Sequence, residues 1–358
     1  MPEKNPRAMI AMSGGVDSSA AAFLARERGY DCMGVMLRLF DNADAGLSEG
    51  RGCCSRSDAE DARAVAAALR MPFYVFNFTD AFRERVMRPF AESYLRGCTP
   101  NPCIACNRYM KFGLMFDRAR LLGCEALVTG HYARIEEYGG RFHLLRAADP
   151  GKDQSYVLYN LTQEQLRHTL FPLGGMSKGE TRRLAESLGF VTARKRDSQD
   201  ICFAPDGDYA AAITRCTGRT CPGGNFVDEQ GNVLGRHRGI VYYTVGQRRG
   251  LGVSASEPLY VRDIRPEDNT VVLSRRDGLF SRELYAADFN WISGHAPERP
   301  VRVEAKIRYR HAARPAAAEP GPGGTVRVIF DEPQRAVTRG QSVVLYDGDE
   351  VLGGGIIQ

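Results

Sequence analysis

Apolar positions along the first 130 residues change period several times. Ala8 to Met12 is a short apolar run of the kind a buried strand needs, and it leads directly into the polar, glycine-containing stretch Ser13 to Ser19. Ser18 to Arg28 is alanine-rich with helical spacing, and Gly29 supplies a stop. Asp31 to Leu39 again reads as a strand. Ser57 to Leu69 reads as a helix, opened by Ser57 with acidic Glu60 three positions later in the manner of a capping box. Pro72 to Phe78 alternates as a strand, Phe112 to Leu122 reads as a helix, and Ala126 to Thr129 reads as a strand ending at Gly130 and His131. Strands alternating with helices predict a mostly parallel sheet covered on its faces. Ligands of such sheets sit beyond the carboxyl ends of the strands.

Past about residue 205 the pattern changes. Short alternating segments punctuated by glycine replace helical ones: Gly239 to Val245, Leu259 to Ile264, Thr270 to Ser274, Val301 to Ile307, Thr325 to Phe330 and Ser342 to Tyr346. They predict small β domains or barrels. Pro315 to Gly324, rich in Ala, Pro and Gly, reads as an exposed loop in the last of them. The fold class expected is therefore an α/β N-terminal domain with a parallel sheet, followed by two small mainly-β domains, the last barrel-like. The boundaries expected are 1–205, 206–280 and 281–358.

Bulk composition narrows the class of protein. With 43% apolar and 25% charged residues, the chain has the balance of a water-soluble globular protein. No apolar run approaches the roughly 20 residues that cross a bilayer. The N-terminal apolar stretch runs straight into the glycine loop and is needed inside the fold, so the expected location is the cytoplasm, with no membrane partner. A net charge of +5 is too small to indicate a polyanionic partner by itself. The ten cysteines say more, because most fall in groups: Cys53 with Cys54; Cys98, Cys103 and Cys106; Cys202; Cys216 with Cys221. In a cytosolic chain, grouped cysteines point to metal binding or sulfur chemistry rather than to a disulfide scaffold. Cys32 and Cys124 lie in apolar surroundings and read as buried small hydrophobes.

Several short stretches carry chemistry. Ser13-Gly14-Gly15-Val16-Asp17-Ser18-Ser19 places consecutive glycines at the start of a helix, where backbone N–H groups and the helix dipole can receive an oxyanion. It is not a Walker A loop, since the Gly-Lys-Ser/Thr ending is missing and the loop has no lysine. In Thr99 to Asn107 two prolines hold the chain extended ahead of Cys103-Ile104-Ala105-Cys106. That spacing alone fits zinc, an iron–sulfur cluster, a redox pair or no function, and after a phosphate loop it invites sulfur transfer. Cys202 follows Arg194, Lys195 and Arg196, a cationic setting that would favour its thiolate. Gly151 to Tyr156 reads as a polar turn ahead of a helix at Gln163. Arg308-Tyr309-Arg310-His311 closes a predicted strand, with two arginines beside a tyrosine, suited to phosphate contact and base stacking.

Together the strings SGGVDSS, GCCS, TPNPCIACN, TGHYAR, KDQSYVL, DSQDICF, YTVGQRRGLG, RYRH and LGGGII, in one order over nearly the whole chain, closely resemble the tRNA-specific 2-thiouridylases. These form the MnmA-like family of the ATP pyrophosphatases, with an adenine-nucleotide alpha hydrolase-like fold. The resemblance implies a tRNA-uridine 2-sulfurtransferase acting on the wobble uridine, with ATP and Mg²⁺ as cofactors. Its partners would be tRNA, a sulfur donor (a cysteine desulfurase or a sulfur relay protein) and a thiol reductant. Carried over by position, Ala11, Met12, Ser13, Gly14, Gly15, Val16, Asp17, Ser18, Leu37 and Gly130 would bind ATP. Asn101, Pro102, Cys103, His131, Lys152, Asp153, Gln154, Arg308, Tyr309 and Gln341 would meet tRNA. Cys106 matches the nucleophile and Cys202 the persulfide carrier, a pair whose disulfide closes each turnover. Many family members carry Asp where this chain has Cys103. That departure leaves open an iron–sulfur cluster on Cys103, Cys106 and Cys202. 4-Thiouridine or lysidine synthesis, amidation of a small molecule, and a catalytically idle RNA-binding or sulfur-carrier protein are the other readings.

Overall fold

The computed structural model describes residues 5–41, 46, 56–195, 201–204 and 207–358. Cys53, Cys54, Arg196 and the segment 197–200 lie outside the described residues.

The N-terminal part is built on a five-stranded sheet. Its strands are β1 (Arg7–Ala11), β2 (Asp31–Arg38), β3 (Phe73–Asn77), β4 (Ala126–Val128) and β7 (Thr169–Leu170), in the order β3-β2-β1-β4-β7. Every pairing is parallel. Alternation along β1 sends Ala8 and Ile10 to one face and Met9 to the other, all fully buried. The Ala8 face is covered by helix α1 (Val16–Glu27), whose Ala20, Ala21, Ala22 and Ala25 are wholly buried, and by α2 (Arg56–Ala68). Alanine at these positions lets helix and sheet approach closely. The chain reverses strand order on either side of β1, so the carboxyl ends of β1 and β4 open onto one crevice.

The opposite face is covered by a long helical run, Pro102–Ala105, then Cys106–Met115 wound as a π-helix, then Phe116–Leu121. Phe112, Met115, Phe116 and Ala119 bury against Met9 and Val35. The helix expected at Phe112 thus begins ten residues earlier, and it is the wide π turns that obscure the 3.6-residue period. Ser57 also departs from expectation, since it lies inside α2 rather than capping it.

A four-stranded sheet follows, ordered β10 (Tyr260–Arg265), β11 (Thr270–Ser274), β8 (Gly224–Val227) and β9 (Val233–His237). Gly239 to Val245 is not a strand there but a 3₁₀ turn at Ile240–Tyr242. The last sheet comprises β12 (Phe280–Trp291), β13 (Val301–Lys306), β14 (Arg314–Pro320), β15 (Val326–Arg335), β16 (Ser342–Asp347) and β17 (Glu350–Ile357). It closes on itself because β12 pairs with both β15 and β17. The segment expected as a loop at 315–324 is mostly β14. Ala316 and Ala318 are fully buried inside the barrel, where a narrow interior selects small side chains. The hairpin β5 (Arg134–Tyr138) and β6 (Arg141–Leu145), from the N-terminal half, joins this sheet where Leu145 faces Glu350 on β17. Among the described residues no helix is long and apolar enough to cross a membrane.

Ala318→Asp places a charge in the closed barrel with no partner. It is expected to lower barrel stability by about 3 kcal/mol or more. Trp291, the single tryptophan, sits on β12 and reports the loss directly through the midpoint of its fluorescence in thermal melts.

Candidate functional site

The glycine loop leaves the carboxyl end of β1 and becomes the N-terminus of α1. Gly14 has φ +70°, and a Cβ there would lie 2.3 Å from the Asp58 carbonyl oxygen of α2. Only glycine fits both the conformation and the space. Ser18 shapes the loop from within: its Oγ accepts from the Ser13 N–H at 3.2 Å and donates to the Gly15 carbonyl at 3.1 Å. Met12, Val16 and Ser18 are buried, so they build the loop, while Ser13 is exposed at its lip. Ala11 and Leu37 sit near the carboxyl ends of β1 and β2, and Gly130 just beyond β4. A Cβ on Gly130 would lie 2.8 Å from the Asp17 and Ser18 backbone. All ten residues expected at the nucleotide thus fall at one end of the sheet.

Asp17, in the first turn of α1, is the hub of this end. Lys178 Nζ donates to both of its carboxylate oxygens at 2.7 Å. The Tyr132 hydroxyl donates to Oδ1 at 2.8 Å and lies 3.0 Å from Thr181 Oγ1. Lys178 and Thr181 belong to helix α3 (Lys178–Ser187), which Ser177 and Glu180 start with a reciprocal capping box. Sequence spacing could not reveal Lys178, because its partner lies 161 positions away. Lys195, expected beside Cys202, instead bonds Asp58 and Asp61 at 2.5 and 2.6 Å. Burial works against its charge, but these two carboxylates prevail and raise its pKa. Its cation therefore serves the wall behind Gly14.

The second group of expected residues gathers around the start of the π-helical run. Asn101 caps it, its Oδ1 accepting from the Cys103 N–H at 3.1 Å, and Pro102 occupies the first turn. Cys103 is exposed. Cys106 is half-buried, and Cys106 and Cys202 pack against the same apolar cluster. The stretch ahead is held by the barrel: Gln341 Nε2 donates to the Thr99 carbonyl at 2.6 Å, and the Thr99 N–H to the Arg339 carbonyl at 2.8 Å. Gln154 exchanges bonds with the backbone of Tyr132, its side chain accepting at 3.0 Å and its N–H donating at 2.8 Å. Asp153 accepts from the Ala147 and Ser155 N–H groups and from Ser155 Oγ. Lys152 stands beside them, half-buried, in the same turn.

Arg308 and Tyr309 lie in a turn after β13, not on a strand face. The Arg308 guanidinium donates to the Arg335 and Ala336 carbonyls, the second at 2.8 Å, which anchors this half-buried side chain to the barrel. Tyr309 is 38% exposed, and its hydroxyl donates to the Asp153 carbonyl at 3.2 Å. Burial pushes the Tyr309 hydroxyl pKa up, and the negative charges of Asp153 and Cys103 add to the rise. Lys306, which the sequence did not single out, places its ammonium 5.6 Å and 5.7 Å from the Tyr156 and Tyr309 ring centroids. His131 is buried between Thr129 Oγ1 at 2.7 Å and Lys111 Nζ at 3.3 Å, so it supports the site from inside. Among the described residues no three His, Cys, Asp or Glu side chains are grouped to hold a metal, and Cys103, Cys106 and Cys202 do not form a three-ligand set.

The chain is 50% identical over 356 residues to the tRNA-specific 2-thiouridylase MnmA of Clostridioides difficile (strain 630), covering 99% of this chain and 98% of that protein. The chain belongs to the tRNA-specific 2-thiouridylase family. The MnmA of Acetivibrio thermocellus is likewise 50% identical over 356 residues, 98% of this chain and 99% of that one. Family models agree along the chain: a tRNA methyl transferase HUP domain at residues 6–206, a tRNA methyl transferase PRC-barrel domain at 217–275 and an aminomethyltransferase β-barrel domain at 281–357. A solved 4-thiouridine synthetase–RNA complex with bound ATP aligns at TM-score 0.39 and 19% identity, over 60% of this chain and 50% of that one, a likeness that carries no argument.

Burial, and secondarily the Lys111 cation, hold His131 well below the ordinary histidine value of 6.5. An unfolded chain therefore binds a proton at this residue that the folded one refuses. The stability this group contributes is present above pH 6.5 and lost as pH falls below it. Thermal melts of the wild type are expected to drop between pH 6.5 and about 5.5, by up to about 1.4 kcal/mol per pH unit from this site. The same series on His131→Gln should be flatter, and equal slopes would remove His131 as the cause.

Proposed function

We propose that this chain uses ATP to replace O2 of the tRNA wobble uridine with sulfur. The observation that carries the reading is the convergence of four separated strings on the thiol-bearing helix start. Asn101 caps it, Gln341 holds the segment leading in, Asn107 donates from within it to the Val157 carbonyl, and Tyr309 donates to the Asp153 carbonyl of that same stretch. That convergence gathers thiols, an exposed aromatic ring and the Lys306 ammonium, groups suited to an unstacked base. The glycine loop at the end of the same sheet supports the use of ATP. We carry forward the division into a catalytic unit at 1–205, a small central unit at 206–280 and a tRNA-contacting barrel at 281–358 as part of this reading.

A uridine C2 oxygen is a poor leaving group. In the proposed reaction O2 attacks the α-phosphate, pyrophosphate departs, and the oxygen becomes part of an adenylate. The terminal sulfur of a Cys202 persulfide then bonds to C2 as AMP leaves with the former O2. The Cys106 thiolate attacks Sγ of Cys202. The S–S bond to the transferred sulfur breaks, its electron pair stays on that sulfur, and a Cys106–Cys202 disulfide remains for a thiol reductant to open. The persulfide itself comes from a cysteine desulfurase or relay protein. Mg²⁺, when bound with ATP, would supply neutralising charge to the triphosphate at the end of the sheet where Asp17 is paired with Lys178. The three cysteines do not fit a cluster in the described arrangement, so no step is drawn through one.

The words methyl transferase in two of the family descriptions name a different chemistry. Methyl transfer needs neither a phosphate loop nor a thiol pair, and the relatives matched over 98–99% of this chain are thiouridylases by name.

Purified chain incubated with unmodified tRNA, ATP, a cysteine desulfurase, cysteine and a thiol reductant is expected to yield 2-thiouridine on nucleoside chromatography. Cys106→Ser and Cys202→Ser should each reduce that yield about a hundredfold or more, as removal of a covalent participant does. Full activity in either variant would end the persulfide route. Tyr309→Ala is expected to raise KM for tRNA about tenfold, the cost of one lost stacking platform, while kcat changes little. A fall in kcat with KM unmoved would refute the stacking role.

A further inference from the structure

We propose that Lys178 positions the ATP triphosphate by neutralising and aiming Asp17, supplying from α3 the cation that the glycine loop does not itself contain. The inference rests on the ATP reading above. Asp17 lies in the first turn of α1, where the helix dipole already favours a carboxylate, so helix stability alone needs no lysine there. The same positive helix end is what a polyphosphate would use. An uncompensated carboxylate in that turn would repel each added phosphate charge.

The surroundings of Asp17 remove that conflict. Lys178 is only 12% exposed at its side chain and grips both carboxylate oxygens at 2.7 Å. Its ammonium also lies 5.8 Å from the Tyr132 ring centroid, and the Tyr132 hydroxyl fixes the Asp17 carboxylate from another side. Thr181, one turn along α3, sits against that hydroxyl. Gly130 brings the strand-β4 turn against the Asp17 backbone with no room for a Cβ. Asp17 is thus held rigidly, with its charge cancelled, directly after the loop N–H groups. The sequence string that begins α3, Ser177-Lys178-Gly179-Glu180, has no role in the thiolation scheme, and this arrangement assigns it one.

The test compares ligands that differ in phosphate number, because a merely structural ion pair would weaken all of them alike. Calorimetric titration of the full chain with ATP and with AMP is made on wild type, Lys178→Met and Asp17→Asn/Lys178→Met, with folding followed by thermal melts. Lys178→Met is expected to weaken ATP at least about tenfold and AMP less than about twofold. The double variant, lacking the exposed carboxylate, should recover most of the ATP affinity. Equal losses for ATP and AMP in a folded Lys178→Met chain, or a double variant no better than the single one, would overturn the proposal. A wild-type chain that binds no ATP would overturn the ATP reading together with it.

Discussion

Backbone meets backbone on two sides of the α1 N-terminus, and much of the molecule is arranged around that contact. The Asp58 carbonyl closes on Gly14 and the turn after β4 closes on Asp17 and Ser18, at distances where any side chain would collide. Two helices and a strand end are therefore fixed relative to the loop by exclusion rather than by strong bonds. Lys195 then ties α2 through Asp58 and Asp61, and Lys178 ties α3 through Asp17. Such ties add direction to a geometry that packing has already imposed.

A second constraint links this end of the sheet to the barrel. The extended segment before Cys103 has few bonds of its own, and it borrows them from Arg339 and Gln341. Gly340, with φ +86°, has no room for a Cβ against Cys98 and Thr99. Thiol placement is thus a tertiary property. The helix that bears Cys103 and Cys106 starts where the barrel tells it to start.

Much of this was legible in the sequence, for reasons that can be named. The apolar alternation of β1 followed by Ser-Gly-Gly-Val-Asp-Ser has few physical readings, and the loop, strand and helix fell where that pattern put them. What escaped was set by distance or by narrowness. Asp17 gives no hint that a lysine far along the chain will claim it. Ala316 and Ala318 look like loop residues because a small barrel wants small side chains, and Pro315 and Pro320 deepen the disguise. His131 is expected at the tRNA from the resemblance alone, and its burial between Thr129 and Lys111 could not be read from the sequence. The Arg308 guanidinium suits phosphate by type, and nothing along the chain signals that it would also hold the Arg335 and Ala336 carbonyls.

The β5–β6 hairpin has a consequence for how the chain is made. Its partner strand β17 arrives late: His143 waits for Glu350, 207 positions downstream. At ~5–20 residues per second, a ribosome leaves that strand edge unpaired for roughly ten to forty seconds. An open edge is a template for wrong partners. Arg134, Glu136, Glu137 and Arg141 crowd the hairpin with charge of both signs. Because β5 remains the outer strand of the finished sheet, those charges oppose wrong pairing after folding as well as before it.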